Sequence, residues 1–353
     1  MHQQSVDTIM PVLSFLQRSA FCIRDNGTVT ETDAARTLAP ACAAALPQWL
    51  GSSKPLFDTW DKTGSLRFTI TLQDQQYQVA AQPLLDGMLF LLETCAVVGA
   101  ASDAMSVVSQ IMRQPLSELS SLFHMMSDSI EEAQYAAAQR QICLMTRTVS
   151  NLTELSRLSQ DAPKLHITAG DTLSLLDGFL DEVEDLCRSA GRDLIRLLPK
   201  KTVCFHGDEA LLKRAILNLI SNALKFGTPG TPIRFRAESL GTHLMFQVEN
   251  ACPDSDNEFL RNAFNRLSTR GLLPDVKWGV GLGIPLVNAV ARLHGGSIAL
   301  DNSGGKVTVS FSISLRTTMP GTTLGSLVTD YTGGIRQTLL ELSDALPNEV
   351  YMR

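Results

Sequence analysis

Apolar residues between 97 and 160 recur at 105, 108, 112, 116, 119, 123 and 126, and again at 142, 145, 149, 152 and 155. Steps of three and four residues put each set on one narrow helical stripe, which predicts two amphipathic helices. A break near Ser127–Ser129 folds them into a hairpin. A lone hairpin buries such stripes poorly, so a dimeric four-helix bundle is the natural solution, with a plain helical linker as the alternative. The pattern differs on either side. Within 12–95, "AFCIRDNGTVTETDAARTLA" reads as a strand, a turn at Asp25-Asn26-Gly27, a short strand and a helix. "LRFTITLQDQQYQVAAQPLLDGMLFLLE" reads as three strands turning at Gln73–Gln75 and near Asp86-Gly87. Together they predict a small α+β module with an antiparallel sheet.

Residues 165–315 alternate strand and helix. "KLHITA" leads to the helical "TLSLLDGFLDEVEDLCRSAG", then to strands at "DLIRLLP" and "TVCFHG". The long helix "DEALLKRAILNLISNALKF" follows, with Asp208 as a good N-cap. Strands "PIRFRAES" and "HLMFQVEN", a glycine loop, a helix, and strands "SIALDN" and "KVTVSFSISL" complete a mixed sheet covered by helices. That is a two-layer α/β sandwich. Residues 316–353 read as a Thr/Gly-rich linker and a short amphipathic helix around "GIRQTLLELSDAL", carrying no chemical motif. The fold class is thus α+β, multidomain, with divisions 12–95, 97–160, 165–315 and 316–353.

Composition narrows the setting more than the chemistry. The chain has 353 residues, 44% hydrophobic and 19% charged, ordinary for a soluble protein of two or three domains. A net charge of −6 argues against a broad nucleic-acid surface. Cysteines at 22, 42, 95, 143, 187, 204 and 252 form no CxxC or Cys/His cluster, so neither a disulfide framework nor a structural zinc is expected. "MHQQSVDTIM" lacks the features of a signal peptide. "GMLFLLETCAVVGAA" (87–101) is too short for a membrane span and is interrupted by Glu93. The expectation is a cytoplasmic protein with no span.

The chemistry gathers around "GVGLGIPL", where Gly279, Gly281 and Gly283 directly precede a helix. Free N–H groups and the positive end of the helix dipole suit an anion there. Taken alone, the loop fits a distorted dinucleotide loop, an ATP-lid hinge or a flexible turn. The preceding helix decides among them. "NLISNALKF" sets Asn218 and Asn222 four apart on one face, with Lys225 three further on. Amide oxygens can ligate a magnesium ion carrying triphosphate, and the lysine can meet phosphate. A Rossmann reading fails, because no strand–GxGxxG–helix unit with a downstream acid is present.

With "VEN" and "GVGLGIPLVNAVARLHGG" at sandwich spacing, the chain resembles the ATP-binding domain of sensor histidine kinases, in the Bergerat-fold (HATPase) superfamily. The likeness is close over 208–315 and looser over 165–207. Residues 12–95 resemble a PAS sensor domain, and the order of sensor, dimerising hairpin and ATP domain also matches. The resemblance implies that Asn222 holds Mg, that Asn218 and Lys225 lie beside the phosphates of ATP, and that Gly279, Gly281 and Gly283 hinge the lid. In gyrase-like and chaperone-like relatives a glutamate at the position of Asn218 activates water. An asparagine cannot act as that base, so water-attacking hydrolysis is disfavoured and transfer to a protein nucleophile remains.

Two departures qualify the resemblance. The family's phosphoacceptor motif, His-Glu-x-Arg-x-Pro-Leu, appears as "QIMRQPL" (110–116). Arg113, Pro115 and Leu116 match. Gln110 stands in place of the histidine and Ile111 in place of its acidic partner, and an amide nitrogen is no nucleophile. The family's Asp-x-Gly-x-Gly appears as "NACPD" (250–254). There Asn250 can still accept from the adenine amino group, and Cys252 replaces a glycine, so binding is weakened rather than excluded. His124 lies about 21 Å further down the helix from Gln110, and Ser109 points elsewhere. His166, His206, His243 and His294 suit structural roles. The expectation is a two-component signalling protein that binds Mg-ATP, with atypical or absent autophosphorylation in cis, in effect a pseudokinase. The alternative is an active kinase phosphorylating a partner chain or an unusual acceptor. A homodimer, or a heterodimer with another kinase, and a response-regulator-like protein are the partners implied.

Overall fold

The computed structural model describes residues 5–38, 50–62, 64–72, 75–94, 102–160, 163–252, 281–303, 305–315 and 336–352. The N-terminal part runs α1 (Val6–Phe15), β1 (Ala20–Arg24), β2 (Val29–Glu31), α2 (Asp33–Leu38), α3 (Lys54–Asp58), β3 (Ser65–Leu72), β4 (Gln75–Leu84) and β5 (Gly87–Thr94). Every strand expected here is present, as are the turns at Asp25-Asn26-Gly27 and near Asp86-Gly87, while the centre of the expected turn at Gln73–Gln75 lies outside the described residues. Helix α1 begins ahead of the expected module start at residue 12 and seals one side of the sheet with Val6 and Met10 against Ala20, Cys22, Leu84 and Leu89. On the other side Phe21, Leu56, Trp60, Phe68, Val79 and Phe90 form a core, with Phe21 and Phe90 stacked at 4.8 Å.

Helices α4 (Ser102–Met125) and α5 (Glu132–Leu158) form the expected hairpin, joined by a 3-10 turn at Ser127–Ser129. Phe123 stacks on Tyr135 at 5.0 Å and Leu116 is buried, so these two positions of the first apolar stripe are used within the chain. Much of the described surface of α4 is open. Val108, Ile111, Met112, Leu119, Leu122 and Met126 are exposed.

The third part contains β6 (Thr168–Asp171), α6 (Thr172–Leu176), α7 (Phe179–Ser189), β7 (Leu194–Leu197), β8 (Cys204–Gly207), α8 (Glu209–Phe226), β9 (Ile233–Leu240), β10 (His243–Ala251), α9 (Gly283–Leu293), β11 (Ile298–Ser303) and β12 (Lys306–Ser314). The sequence reads α6 and α7 as one helix. The chain instead leaves helical geometry at Asp177 and turns at Gly178, whose φ of 65° is open to a residue without a Cβ. Helices α7, α8 and α9 lay their apolar faces on the sheet, in a core that includes Leu180, Leu212, Ile216, Ile220, Phe246, Val287 and Phe311.

The sheet itself is larger than the sequence suggests. Among the described residues ten strands run in the order β2-β1-β5-β4-β3-β11-β12-β10-β9-β7, antiparallel except for β7 with β9. Strand β3 of the N-terminal module pairs with β11 of the sandwich, with Phe68 opposite Ala299 and Leu66 opposite Asp301. Met245 and Ala299, on the sandwich's far face, join the core of Phe68 and Trp60. Backbone pairing therefore ties both modules into one sheet. Among the described residues Cys22, Cys143, Cys187 and Cys204 are free thiols, and burial first among causes raises those of Cys22 and Cys187 to about 12. No described helix is long and apolar enough to cross a membrane.

Beyond the sandwich, α10 (Gln337–Leu342) and a 3-10 turn at Asn348–Tyr351 return to the main core. Leu340, Leu342, Leu346 and Tyr351 are buried there.

Candidate functional site

Helix α8 is set in place before any functional side chain is considered. The Asp208 carboxylate accepts from Leu211 N at 3.2 Å and from His166 N at 2.9 Å, capping the helix and tying it to the preceding chain. His294 Nε2 accepts from Asp208 N at 2.9 Å, and its Nδ1 lies 2.8 Å from Val290 O. Burial holds His294 below its ordinary pKa, which keeps the ring neutral with its proton on Nδ1. That is the structural role expected for this residue. Leu212, Ala215, Ile216, Leu219, Ile220 and Ala223 bury one face of α8. Arg214, Asn218, Ser221 and Lys225, spaced by four, three and four, form a second stripe facing α5 and α10.

That second stripe is filled by charge. Lys225 Nζ donates to Asp344 Oδ2 at 3.0 Å and Ser221 Oγ to Asp344 Oδ1 at 2.6 Å, and Arg147 of α5 pairs with the same carboxylate. Glu341 lies 2.8 Å from Arg214 Nε and 3.5 Å from Arg147 Nε. Arg214 also donates to Ser150 Oγ and Asn151 Oδ1, both at 2.8 Å. Asn218 donates through Nδ2 to Arg214 O at 2.9 Å and to Glu341 Oε2 at 3.5 Å, while its Oδ1 accepts from Arg147. Side-chain exposure is only 2% for Glu341 and 9% for both arginines, so this is a buried ionic network. Burial opposes ionisation of Asp344, but the charges of Arg147 and Lys225 and the hydrogen bonds from Ser221 and Lys225 outweigh it, and its pKa falls to about 2.

The expected site residues come together in part. The start of α9 abuts α8 closely enough that a Cβ at Gly283 would sit 3.0 Å from Asn218 Oδ1. Gly281 holds a φ of 68°, a left-handed backbone that suits glycine before the helix. No side chain caps α9, whose N-cap is Leu282. Asn250, buried on β10, donates through Nδ2 to Ala251 O at 3.1 Å, leaving its amide oxygen as the acceptor. Asn222 is half-buried, beside the stripe that holds Asn218 and Lys225. Gly279 lies outside the described residues. Lys225, Ser221 and Arg147 already hold one carboxylate, so the donor set suits an anionic oxygen group such as phosphate.

On the hairpin, Gln110 falls within α4, Ser109 is buried, and His124 is exposed with Nδ1 3.5 Å from Tyr135 OH. The tail departs from expectation. Its sequence carries no recognisable motif, yet Glu341 and Asp344 meet the polar stripe of α8. Arg147, Arg214, Ser221, Glu341 and Asp344 were all missed. Only the spacing of Arg214 and Ser221 with Asn218 and Lys225 was available to find any of them.

Residues 207–318 match the family described as histidine kinase-, DNA gyrase B-, and HSP90-like ATPase. Among curated proteins, the sensor histidine kinase YvrG of Bacillus subtilis is 27% identical over 58% of this chain and 37% of its own length. The sensor protein kinase PmrB of Pseudomonas aeruginosa is 26% identical over 71% of this chain and 54% of its own. Residues 207–318 are thus an ATPase domain of this type, and the chain is similar to sensor histidine kinases. It spans about half or less of the length of these two relatives. Among solved structures of the family, full-length ShkA in complex with AMPPNP is 18% identical, with a TM-score of 0.48 over 60% of this chain and 45% of that one. The α/β sandwich is of the histidine-kinase ATPase type, and its family binds ATP.

Proposed function

We infer that this chain is a dimeric signalling protein that binds Mg-ATP between α8, β10 and α9, and that it does not phosphorylate itself in cis. The close approach of Gly283 to Asn218, beside Lys225, carries the nucleotide reading. In that reading Lys225 meets the phosphates, the Asn222 amide oxygen ligates magnesium, and the Asn250 amide oxygen accepts from the adenine amino group. Gly279, Gly281 and Gly283 form the hinge over the nucleotide. Magnesium would neutralise charge on the triphosphate. Asn218 offers no base for water, and Gln110 offers no nucleophile where the family's histidine stands.

The dimer reading rests on α4. Val108, Met112, Leu119, Leu122 and Met126 form an exposed apolar row near heptad spacing, the kind of seam that a second copy covers in a four-helix bundle. The N-terminal antiparallel sheet with α1–α3 supports a PAS-like sensor role for 12–95, with 97–160 the dimerising hairpin, 165–315 the ATP domain and 316–353 the tail. A response-regulator-like protein is the partner this organisation implies. A second reading, phosphorylation of a partner chain's histidine, is kept by the asparagines, lysine and glycines of the site.

Incubation of the full chain with magnesium and labelled ATP tests these readings. Calorimetry should record magnesium-dependent binding that Asn222→Ala abolishes, and equal affinity in both proteins would refute the site. Wild type should take up no acid-labile label, whereas Gln110→His with Ile111→Glu should acquire it. Label on wild-type His124 would overturn the pseudokinase reading. Light scattering should report a dimer that Leu119→Glu with Leu122→Glu converts to monomer.

A further inference from the structure

We propose that residues 336–352 are an inhibitory strap in cis, in which the Asp344 carboxylate occupies Lys225 and Ser221 in place of a nucleotide phosphate. The proposal rests on the nucleotide reading of α8 and goes beyond it by assigning a regulator to the site.

Three features of the contact carry it. First, the strap reaches the very side chains that the nucleotide reading needs. Asp344 takes Lys225 at 3.0 Å, and Glu341 lies 3.5 Å from Asn218 Nδ2. A carboxylate and a phosphate are both anionic oxygen groups that lysine and hydroxyl donors satisfy in the same way, so they exclude one another at Lys225. Second, the strap binds two elements at once. Arg147 on α5 and Arg214 on α8 share Glu341, and Arg147 and Lys225 share Asp344. While the strap is docked, the ATP-domain helix is held against the second helix of the hairpin, and it cannot travel toward the α4 surface around Gln110. Third, the strap has its own apolar anchors. Leu340, Leu342, Leu346 and Tyr351 are buried, and Arg140 Nη2 donates to Asp344 O at 3.5 Å. Docking therefore does not depend on the carboxylates alone. The low pKa of Asp344 keeps it charged at neutral pH, as a competitor for a phosphate must be.

The apolar anchors mean that deleting the strap would expose core residues, so the test uses a charge-neutralising variant and the intact wild type. Magnesium-ATP affinity of the full chain is measured by calorimetry for wild type and Asp344→Asn, with thermal unfolding confirming that both are folded. The strap predicts at least tenfold tighter binding by Asp344→Asn. Equal, measurable affinity would overturn the strap and leave the nucleotide site standing. No binding by either protein at millimolar ATP would overturn the nucleotide reading and the strap with it. A second measurement needs no variant. Hydrogen exchange of wild type with the non-hydrolysable analogue AMPPNP and magnesium should speed up in 337–342 and 348–351. Unchanged or slower exchange there, with AMPPNP bound, would mean that the strap and nucleotide do not compete.

Discussion

The ATP-binding half is joined to the rest of the chain in two places, by opposite means. At the β3–β11 joint the contact is backbone pairing over Ser65–Phe68 and Ala299–Asn302, backed by apolar Phe68, Met245 and Ala299. Beside it lie neutral polar contacts: Asn288 and Gln76 exchange two amide hydrogen bonds at 3.1 Å, and Thr69 donates to Asn288 Oδ1 at 3.2 Å. At the α5–α8–α10 joint the centre is ionic, with Arg147, Arg214 and Lys225 facing Glu341 and Asp344. The first joint is held mainly by backbone and apolar groups, with Arg67 and Asp301 on its paired strands. The second is made of groups for which a polyanion competes. A joint of backbone and apolar contacts fixes the N-terminal module to the sandwich, while an ionic centre fixes the sandwich to the hairpin in a way that can be exchanged.

The largest expected effect tests the ionic joint. Glu341→Ala leaves Arg147 and Arg214 nearly buried without their shared carboxylate, and breaking such a network by removing one partner costs about 3 kcal/mol. Urea unfolding of the full chain checks this, and a change under 1 kcal/mol would mean that water or other acids compensate the arginines. Next comes pH. The folded-state pKa of Asp344 is lowered from 3.8 to about 2, so its contribution is complete above the unfolded value and disappears as pH falls through the folded one. Wild type should exceed Asp344→Asn by about 2 kcal/mol near pH 5, with the gap closing between about pH 4 and pH 2. A gap that persists at the acid end would assign the stabilisation to something other than the carboxylate's charge. The smallest effect belongs to the β3–β11 joint. Asn288→Ala removes the paired amide bonds to half-buried Gln76, where water partly replaces them, for a cost of about 1 kcal/mol. It should leave ATP affinity unchanged, whereas Asp344→Asn should not, and that contrast is what separates the joints.

Much of the local structure was legible in the chain. Asp208 was legible as the cap of α8, since an aspartate before an apolar-periodic run satisfies the free N–H groups of the first turn. The hairpin of α4 and α5, the three strands from β3 to β5, and helix α9 followed from spacing in the same way. Asn218 and Lys225 were legible as a pair because helical geometry alone puts them on one stripe. The break at Gly178 was not, because Asp177 and Gly178 interrupt an otherwise continuous helical pattern whose outcome depends on packing.

The sequence by itself determined most of which segments would be helix or strand and which side chains would share a face, because capping, periodicity and turn chemistry act over a few residues. Only the tertiary structure decided that β3 would pair with β11 and that Glu341 and Asp344 would meet Arg147, Arg214 and Lys225. A β-edge offers N–H and C=O groups that are alike in every strand, so it carries no address for its partner. Charge complementarity between groups more than a hundred residues apart takes effect only after the core has brought them within a few ångströms.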